Sequence, residues 1–226
     1  MKTKLSFVSI MVFFLCLSGF VGVVDAARVQ ENDQSCLGCH DTMALEEVGN
    51  IHHRLRPFET GGTQMGCEAC HGSGEAHMEE GDPAKIFSFK TASADQASET
   101  CLKCHQSLQM ADWNFSDHSL EDVACTDCHN VHAESSLVKP DPQLCFDCHK
   151  DVMVKSNFPS HHPIREGKMT CSDCHDHHGS RMNNLKSLER LNDLCYKCHT
   201  DKQGPFIFEH APVLEDCSIC HDAHGT

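Results

Sequence analysis

Large aromatic side chains are scarce in this chain of 226 residues, which has one Trp, one Tyr and 12 Phe. Four of the phenylalanines fall within one apolar run at the N-terminus, so few large side chains remain elsewhere to fill an interior. No second run is long enough to span a bilayer. Lys and Arg do not cluster beyond Lys2 and Lys4, and the net charge is −15, which excludes a phosphate-backbone footprint and makes nucleic acid an unexpected partner. Something other than side chains must therefore form the core.

Residues 1–26 have the pattern of a secretory signal peptide. A positive end is followed by an almost wholly apolar run, and small residues suited to cleavage follow at Val24-Asp25-Ala26. The alternative is a retained membrane anchor, because the apolar run approaches the length of a bilayer span. We expect cleavage, which leaves a soluble, exported chain of residues 27–226 in the periplasm.

Cysteine is abundant, with 17 in the chain, and only Cys16 lies inside the signal. Every other cysteine belongs to a Cys-x-x-Cys-His motif, the attachment signature of c-type haem, in which two thiols bind the haem vinyl groups and the His binds iron. The eight motifs are Cys36/Cys39/His40, Cys67/Cys70/His71, Cys101/Cys104/His105, Cys125/Cys128/His129, Cys145/Cys148/His149, Cys171/Cys174/His175, Cys195/Cys198/His199 and Cys217/Cys220/His221.

Zinc sites, thiol redox pairs and disulfides are the competing interpretations of these cysteines. Zinc sites do not require a His directly after every second Cys, and disulfide scaffolds have no use for it. The pattern therefore predicts eight covalently attached haems c, with about 25 residues of the mature chain for each.

Eleven further histidines supply enough imidazole for the second axial position of every iron. They form eight stations, because three adjacent pairs each count as one, and one station follows each motif. The seven methionines outside the signal are alternative ligands, but they show no regular relation to the motifs and are expected to pack against porphyrin. The stations are His52/His53, His77, His118, His132, His161/His162, His177/His178, His210 and His224.

The gap between motif and station alternates between long and short, so the repeating unit carries two haems. Its copies span approximately residues 36–78, 101–132, 145–178 and 195–224. A short-gap His, three residues beyond its proximal His, is expected on the same face of a helical turn and should therefore ligate a different haem. The repeat selects His178 over its neighbour, whereas spacing leaves His52/His53 and His161/His162 open.

The fold class that follows is a multihaem cytochrome c. We expect one elongated domain over residues 27–226, mostly coil with short α-helices wrapped around a stacked haem chain, and little or no β-sheet. Longer helices are expected at 98–110 and 187–197. Phe115, Phe158 and Ile207, each three residues before a long-gap His, are expected to pack on haem faces. Trp113 and Tyr196 are expected to be packing residues rather than catalytic ones.

Three strings of the sequence resemble the periplasmic multihaem cytochromes of outer-membrane porin–cytochrome conduits. They are Cys145-Phe-Asp-Cys-His-Lys150, Pro159-Ser-His-His-Pro-Ile-Arg-Glu-Gly-Lys-Met169 and Cys125-Thr-Asp-Cys-His-Asn-Val-His-Ala133. The resemblance is to the decahaem Mtr-type and DMSO-respiration-type family, and more closely to its octahaem members in metal-reducing bacteria. It implies bis-His haems in a staggered chain, partly sheathed by a β-barrel porin. It also favours His162 and His53 as the ligands at the two open stations.

The expected function is electron transfer from periplasmic or inner-membrane donors toward an outer-membrane porin, an outer-surface multihaem cytochrome and an extracellular acceptor such as a metal oxide. No catalytic residue is expected, because there are enough histidines to close every iron. The alternatives are a multihaem reductase acting on nitrite, hydroxylamine or a sulfur oxyanion, which needs an open iron position, a soluble periplasmic electron shuttle, and a filament-forming subunit.

Overall fold

The computed structural model describes residues 33–43, 51–55, 62, 65–107, 110–133, 135–180, 184–186, 189–208 and 214–226. The predicted signal peptide, residues 1–26, lies outside these residues, and so does His210.

Short helices joined by coil make up the described part of the chain, in which no strand or sheet is formed. The predicted fold class is confirmed in this respect. The longest of the described helices has nine residues. The α-helices are Asp33–Leu37, Ile51–Arg54, Cys67–His71, Glu75–Glu80, Ala94–Leu102, Asp117–Leu120, Cys125–Cys128, Gln143–Phe146, Lys150–Lys155 and Leu191–Tyr196, and 3-10 turns occupy Pro83–Lys85, Trp113–Phe115, Cys171–Asp173, Thr200–Lys202 and Cys217–Ile219.

The two longer helices predicted from the sequence are displaced and shortened. A capping box between Ser93 and Gln96 starts the first helix at Ala94, where each side chain bonds the other residue's backbone N–H. This helix ends at Leu102, because the following residues form the turn of a Cys-x-x-Cys-His motif. The second is Leu191–Tyr196, and Arg190 before it is extended.

Two isolated antiparallel bridges close equivalent loops in the second and third units. His129 pairs with Leu137, and His175 pairs with Leu185. The bridges follow the second motif of each unit, and the loops between their ends contain the short-gap histidines His132 and His178. The candidate distal ligands in these loops therefore lie on non-helical backbone.

Apolar burial within the polypeptide is slight. Among the described residues, the buried apolar side chains are Met65, Ala97, Trp113, Ala124 and Leu194. By contrast, the side chains of Phe115 and Ile207 are 79% and 93% solvent-exposed. Five buried apolar side chains, two of them alanines, do not make the interior of an ordinary domain of this size. The chain is therefore suited to wrapping around a large apolar group. No described helix has the length and apolarity needed to cross a bilayer.

Candidate haem-attachment sites

Each Cys-x-x-Cys-His motif forms a single tight turn closed by its own backbone. At Cys145 the carbonyl accepts hydrogen bonds from the amides of Cys148, at 3.2 Å, and His149, at 2.9 Å. The same bond from the His amide to the first Cys carbonyl recurs at 2.9–3.0 Å in motifs from Cys36 to Cys217. One helical turn puts residues three apart on the same face, so both thiols point to one side, where a single haem can bind them. The described cysteines are all free thiols, and none forms a disulfide.

The two cysteines of a motif differ in how far the polypeptide covers them. The first cysteine of every motif is half-buried, whereas five of the second cysteines are exposed, so the chain alone does not enclose the predicted attachment atoms in pockets. A thiol that is to form a thioether must face the porphyrin rather than pack within the polypeptide, and exposure is compatible with that role. Attachment at these positions stays a prediction. The exposed cysteines are Cys39, Cys104, Cys148, Cys198 and Cys220.

Thiols of the two motifs in one unit lie side by side. The first cysteines are neighbours in the second unit, where Cys101 lies beside Cys125, and the equivalent neighbours are Cys145 with Cys171 and Cys195 with Cys217. Before haem attachment, the interaction with the neighbouring Cys101 thiol lowers the pKa of Cys125 to about 6. In each of these units, the two haems would therefore be attached at neighbouring sulfur atoms.

Neighbouring units meet through the second cysteines of their motifs. Burial raises the pKa of the Cys70, Cys128 and Cys174 thiols. A smaller increase comes from the neighbouring thiols of Cys104, Cys148 and Cys198, respectively. Contacts within units and between units alternate. Successive motifs along the sequence are therefore also neighbours in space.

Seven pairs of imidazole rings face one another across nearly constant distances in the described part of the chain. Their ring centroids are 5.9–6.3 Å apart, while their interplanar angles range from 10° to 78°. Each pair joins the His of one motif to a His of one distal station. The pairs are His40–His77 at 6.3 Å, His71–His132 at 6.1 Å, His105–His52 at 6.0 Å, His129–His178 at 6.1 Å, His149–His118 at 6.2 Å, His175–His224 at 5.9 Å and His199–His162 at 6.0 Å.

This geometry fits one metal ion between each pair of rings. Two metal–imidazole bonds of about 2.0 Å, plus roughly 1.1 Å from each bonding nitrogen to its ring centre, give a separation of roughly 6.2 Å. Ligand rings also turn freely about the metal–nitrogen axis, so a fixed distance with a variable angle is what axial ligation produces. Direct ring stacking would constrain the angle as well. The residues present therefore fit a bis-His haem at these positions.

The histidine pairs interlock adjacent units in a regular way. The first motif of a unit faces the long-gap His of the preceding unit, as His149 faces His118, and the second motif faces the short-gap His of the following unit, as His129 faces His178. Two reciprocal pairs thus join each unit to the next. The first unit departs from this rule, because His40 faces His77 of the same unit.

Several of these imidazoles are oriented by a backbone carbonyl. The Nδ1 atoms of His71, His77, His118 and His162 lie 2.7–3.1 Å from carbonyl oxygens of Phe87, Asp82, His177 and Ala223, respectively. An Nδ1–H that donates to a carbonyl leaves the lone pair of Nε2 available for a metal. Two of these carbonyls, those of His177 and Ala223, belong to the following unit, so the orientation of the ligand depends on the neighbouring repeat.

Three of the short-gap histidines are positioned by a side-chain turn rather than by a helix, whereas His77 lies in the helix Glu75–Glu80. Asn130, Asp176 and Asp222 each follow a proximal His, and their side-chain oxygens accept the backbone N–H of His132, His178 and His224 at 2.9–3.2 Å. The expected helical turn is wrong because the helix Cys125–Cys128 ends before His129, which is extended. The Asx turn directs His132 away from the haem site of its own motif and toward His71.

The spare histidines differ from the paired ones in their contacts. His161, beside His162, uses both ring nitrogens on the protein, Nδ1 with the carbonyl of Phe158 and Nε2 with the Glu166 carboxylate. The buried Nε2 of His177 has no hydrogen-bond partner, and burial lowers the pKa of this imidazole. Burial also lowers the pKa of His175 and His178, which favours the neutral form that binds a metal.

At the first open station the ring that faces His105 is His52. The side chain of His53, which the family resemblance favours, lies outside the described residues. At the last motif, His221 has no described histidine pair, and its remaining expected partner, His210, also lies outside them. Trp113 is buried, as expected of a packing residue, and its ring centroid lies 6.4 Å from that of His178.

Three sequence families match successive parts of the chain. They are cytochrome c554 and c-prime over residues 21–72, the NrfB-like cytochrome c-type proteins over 67–140, and the doubled CXXCH motif over 161–204. With the ring pairs and motif turns, these matches define the chain as a multihaem c-type cytochrome, and its cofactor is haem c.

Among characterised proteins, the chain is a homologue of the multiheme cytochrome MtrA of Shewanella baltica, with 36% identity over 189 residues. The alignment covers 80% of this chain and 57% of that protein. The C-type polyheme cytochrome OmcC of Geobacter sulfurreducens is 23% identical, covering 80% of this chain and 28% of that protein. Cytochrome c-554 of Nitrosomonas europaea is 28% identical, covering 40% and 42%. The chain thus spans little more than half of the first relative and less of the others.

Proposed function

We propose that this protein is a periplasmic electron carrier with eight bis-His haems c, which passes electrons in sequence along its length. Seven irons would be held by the ring pairs described above, and the eighth by His221 and His210. Bound haem would supply a one-electron iron couple, and bis-His ligation without Met keeps its potential low. The chain's own residues would hold the porphyrins, fix the axial rings and exclude other ligands.

The observation that carries this proposal is the continuous order of the motifs. From the second motif to the eighth, each motif lies beside the next through neighbouring thiols, and reciprocal histidine pairs join the successive units. The first and second motifs are linked by the hydrogen bond from the amide of Cys67 to Asp33. Such an order supports stepwise electron transfer from one end of the chain to the other. A single catalytic haem would not need it.

We propose further that the acceptor side of this route is an outer-membrane porin and an outer-surface multihaem cytochrome, with periplasmic or inner-membrane proteins as donors. The homology to MtrA and the secretory signal pattern support this location. An outer bilayer is about 40–45 Å thick with its headgroups, so eight haems would need to cover about 5–6 Å each to reach across it. The extracellular acceptor would be a substrate such as a metal oxide.

A reductase is the second candidate function. Unlike an electron carrier with eight bis-His haems, it would need one iron with an open position. Carbon monoxide binding to the ferrous holoprotein separates the two. We expect a mass corresponding to eight haems, a low-spin six-coordinate spectrum and almost no carbon monoxide binding at neutral pH. Substantial binding by the unmodified protein would favour the reductase. Co-purification with a barrel protein in detergent would distinguish the conduit from a free shuttle.

A further inference from the structure

One side chain in each unit links its two motifs through the same hydrogen bond. The side chain lies three or four residues before the first motif, and its oxygen accepts the backbone N–H of the first Cys in the second motif. We call these residues the inter-motif acceptors. They are Asp33 to Cys67 at 2.9 Å, Ser98 to Cys125 at 3.4 Å, Asp141 to Cys171 at 2.9 Å and Asn192 to Cys217 at 2.8 Å.

The inter-motif acceptors are among the most enclosed polar side chains of the described chain. Asp33 and Asn192 are each 2% exposed, and Ser98 is 5% exposed. Asp141 is half-buried, and both of its carboxylate oxygens are occupied. Oδ1 accepts the amide of Cys171, and Oδ2 accepts the amide and the hydroxyl of Ser172 at 3.0 and 2.8 Å. The position is therefore a structural link common to all four units.

The chemical type of the acceptor differs between adjacent units. The second and fourth units use neutral oxygens, from Ser98 and Asn192, whereas Asp141 gives the third unit a carboxylate. A neutral amide of the same shape makes the same bond in the fourth unit, so the link itself does not need a charge. A charge in a partly buried place is costly unless it is compensated. Asp141 therefore brings to the third unit a charge that the link itself does not require.

Asp141 is placed where a charge would act on two haems. A carboxylate oxygen of Asp141 and the sulfurs of Cys145 and Cys171 lie within 4.8 Å of one another, and each sulfur is the first attachment atom of a different motif. Burial alone would raise the pKa of Asp141, but the hydrogen bonds from Cys171 and Ser172 outweigh it and hold the pKa below its ordinary value. The carboxylate is therefore ionised at neutral pH.

We propose that Asp141 is a positioning residue whose negative charge lowers the reduction potentials of the two haems attached in the third unit. The inference rests on the proposed haem loading. A nearby anion stabilises ferric iron over ferrous iron by Coulomb attraction, and the effect is larger where water is partly excluded. The third unit would then form a low-potential step between second and fourth units that have neutral acceptors.

A reciprocal pair of isosteric variants tests this role in the full-length holoprotein. Asp141→Asn keeps an oxygen acceptor and removes the charge, and Asn192→Asp adds a charge at the equivalent place in the fourth unit. In potentiometric titrations followed by haem absorbance and electron paramagnetic resonance, we expect Asp141→Asn to raise the midpoint potential of two haems. The expected size is about a tenfold change in the one-electron equilibrium, which corresponds to about 59 mV. Asn192→Asp should lower two potentials.

Asp151→Asn provides the matched control, because it removes the same charge from an exposed position on the helix Lys150–Lys155 and should shift the titration much less. Unchanged potentials in both test variants, or shifts as small as that of the control, would overturn the role of Asp141. If the Asp141→Asn variant does not incorporate its haems, the midpoint potentials of Asn192→Asp still show whether a charge at this position acts on the haems. Haem stoichiometry and spin state, measured on the same samples, report separately on the proposed electron-carrier function.

Discussion

The imidazole rings of His71 and His132 lie 6.1 Å apart and within 14° of parallel, although they belong to different units of the chain. Nδ1 of His71 lies 2.9 Å from the Phe87 carbonyl, while the backbone of His132 is held by Asn130. One ring is thus set by the segment between the two units, and the opposite ring by the second unit. The haem between them would depend on both.

Replacing His132 by Ala should therefore open one iron, that of the haem attached at Cys67 and Cys70. We expect one haem to become high-spin and to bind carbon monoxide, because the ring facing His71 is lost. The ferrous carbon monoxide difference spectrum measures the fraction of haem that reacts. His161→Ala is the control, since both nitrogens of His161 bond to the protein, and it should leave every haem low-spin. Equal carbon monoxide binding by the two variants would contradict the assignment.

The station at His52 and His53 gives a second prediction about ligation. Because His52 faces His105 at 6.0 Å, His52→Ala should produce one high-spin haem, while His53→Ala should retain the low-spin spectrum. Electron paramagnetic resonance of the ferric protein distinguishes the two spin states. The reverse result would support the family resemblance, which favours His53, over the ring geometry.

Gly179 packs against the backbone of the preceding unit, and alanine there should destabilise the contact. Its φ is +100°, and a Cβ would lie 2.7 Å from the carbonyl oxygen of Asp112. We expect Gly179→Ala to lower the free energy of unfolding by about 1–3 kcal/mol, from overpacking and backbone strain together. Thermal unfolding of the holoprotein measures this loss.

Gly167→Ala is the appropriate control for that experiment. Gly167 also has positive φ, at +66°, but no heavy atom lies within 4 Å of where its Cβ would be. The control should cost about 1 kcal/mol, from strain alone. A loss no larger at Gly179 than at Gly167 would show that the contact with Asp112 does not matter.

Asp141 should make stability depend on pH in the acid range. Its pKa is lower in the folded protein than the ordinary value of about 3.9, so the unfolded chain binds its proton first as the pH falls. The stabilisation is complete above the ordinary pKa and is lost as the pH falls through the folded pKa. The stability difference between the unmodified protein and Asp141→Asn should therefore shrink below about pH 4. Thermal melts at pH 3 to 7 measure it, and a difference that does not change with pH would refute the prediction.

The sequence predicts the motif turns and the fold class well, because both depend on local spacing. Cys145 and His149 fix their turn through a single carbonyl, and nothing remote is needed. The choice between His161 and His162 is different. These residues are adjacent, and the carbonyl of Ala223 lies 2.7 Å from Nδ1 of His162, in a unit that the local sequence does not identify.

Long-range contacts also explain the features that spacing misses. The inter-motif acceptors are separated from their partners by a whole motif, as Asn192 is from Cys217, and only alignment of the four units would have revealed a polar residue at this place. The helical turn expected at His132 fails for a local reason, because the chain extends at His129 and Asn130 forms an Asx turn. An asparagine or aspartate directly after the proximal His was the available signal.

The reciprocal exchange of histidines has a consequence for how such arrays change in length. A unit cut away at either boundary would take with it one imidazole needed by its neighbour and leave behind one that has lost its metal. His129 with His178, and His118 with His149, are examples of this mutual dependence. A whole interior unit could be inserted or removed without breaking the pattern, because its two outgoing and two incoming ligands balance. Longer and shorter arrays of this design should therefore differ by whole interior units.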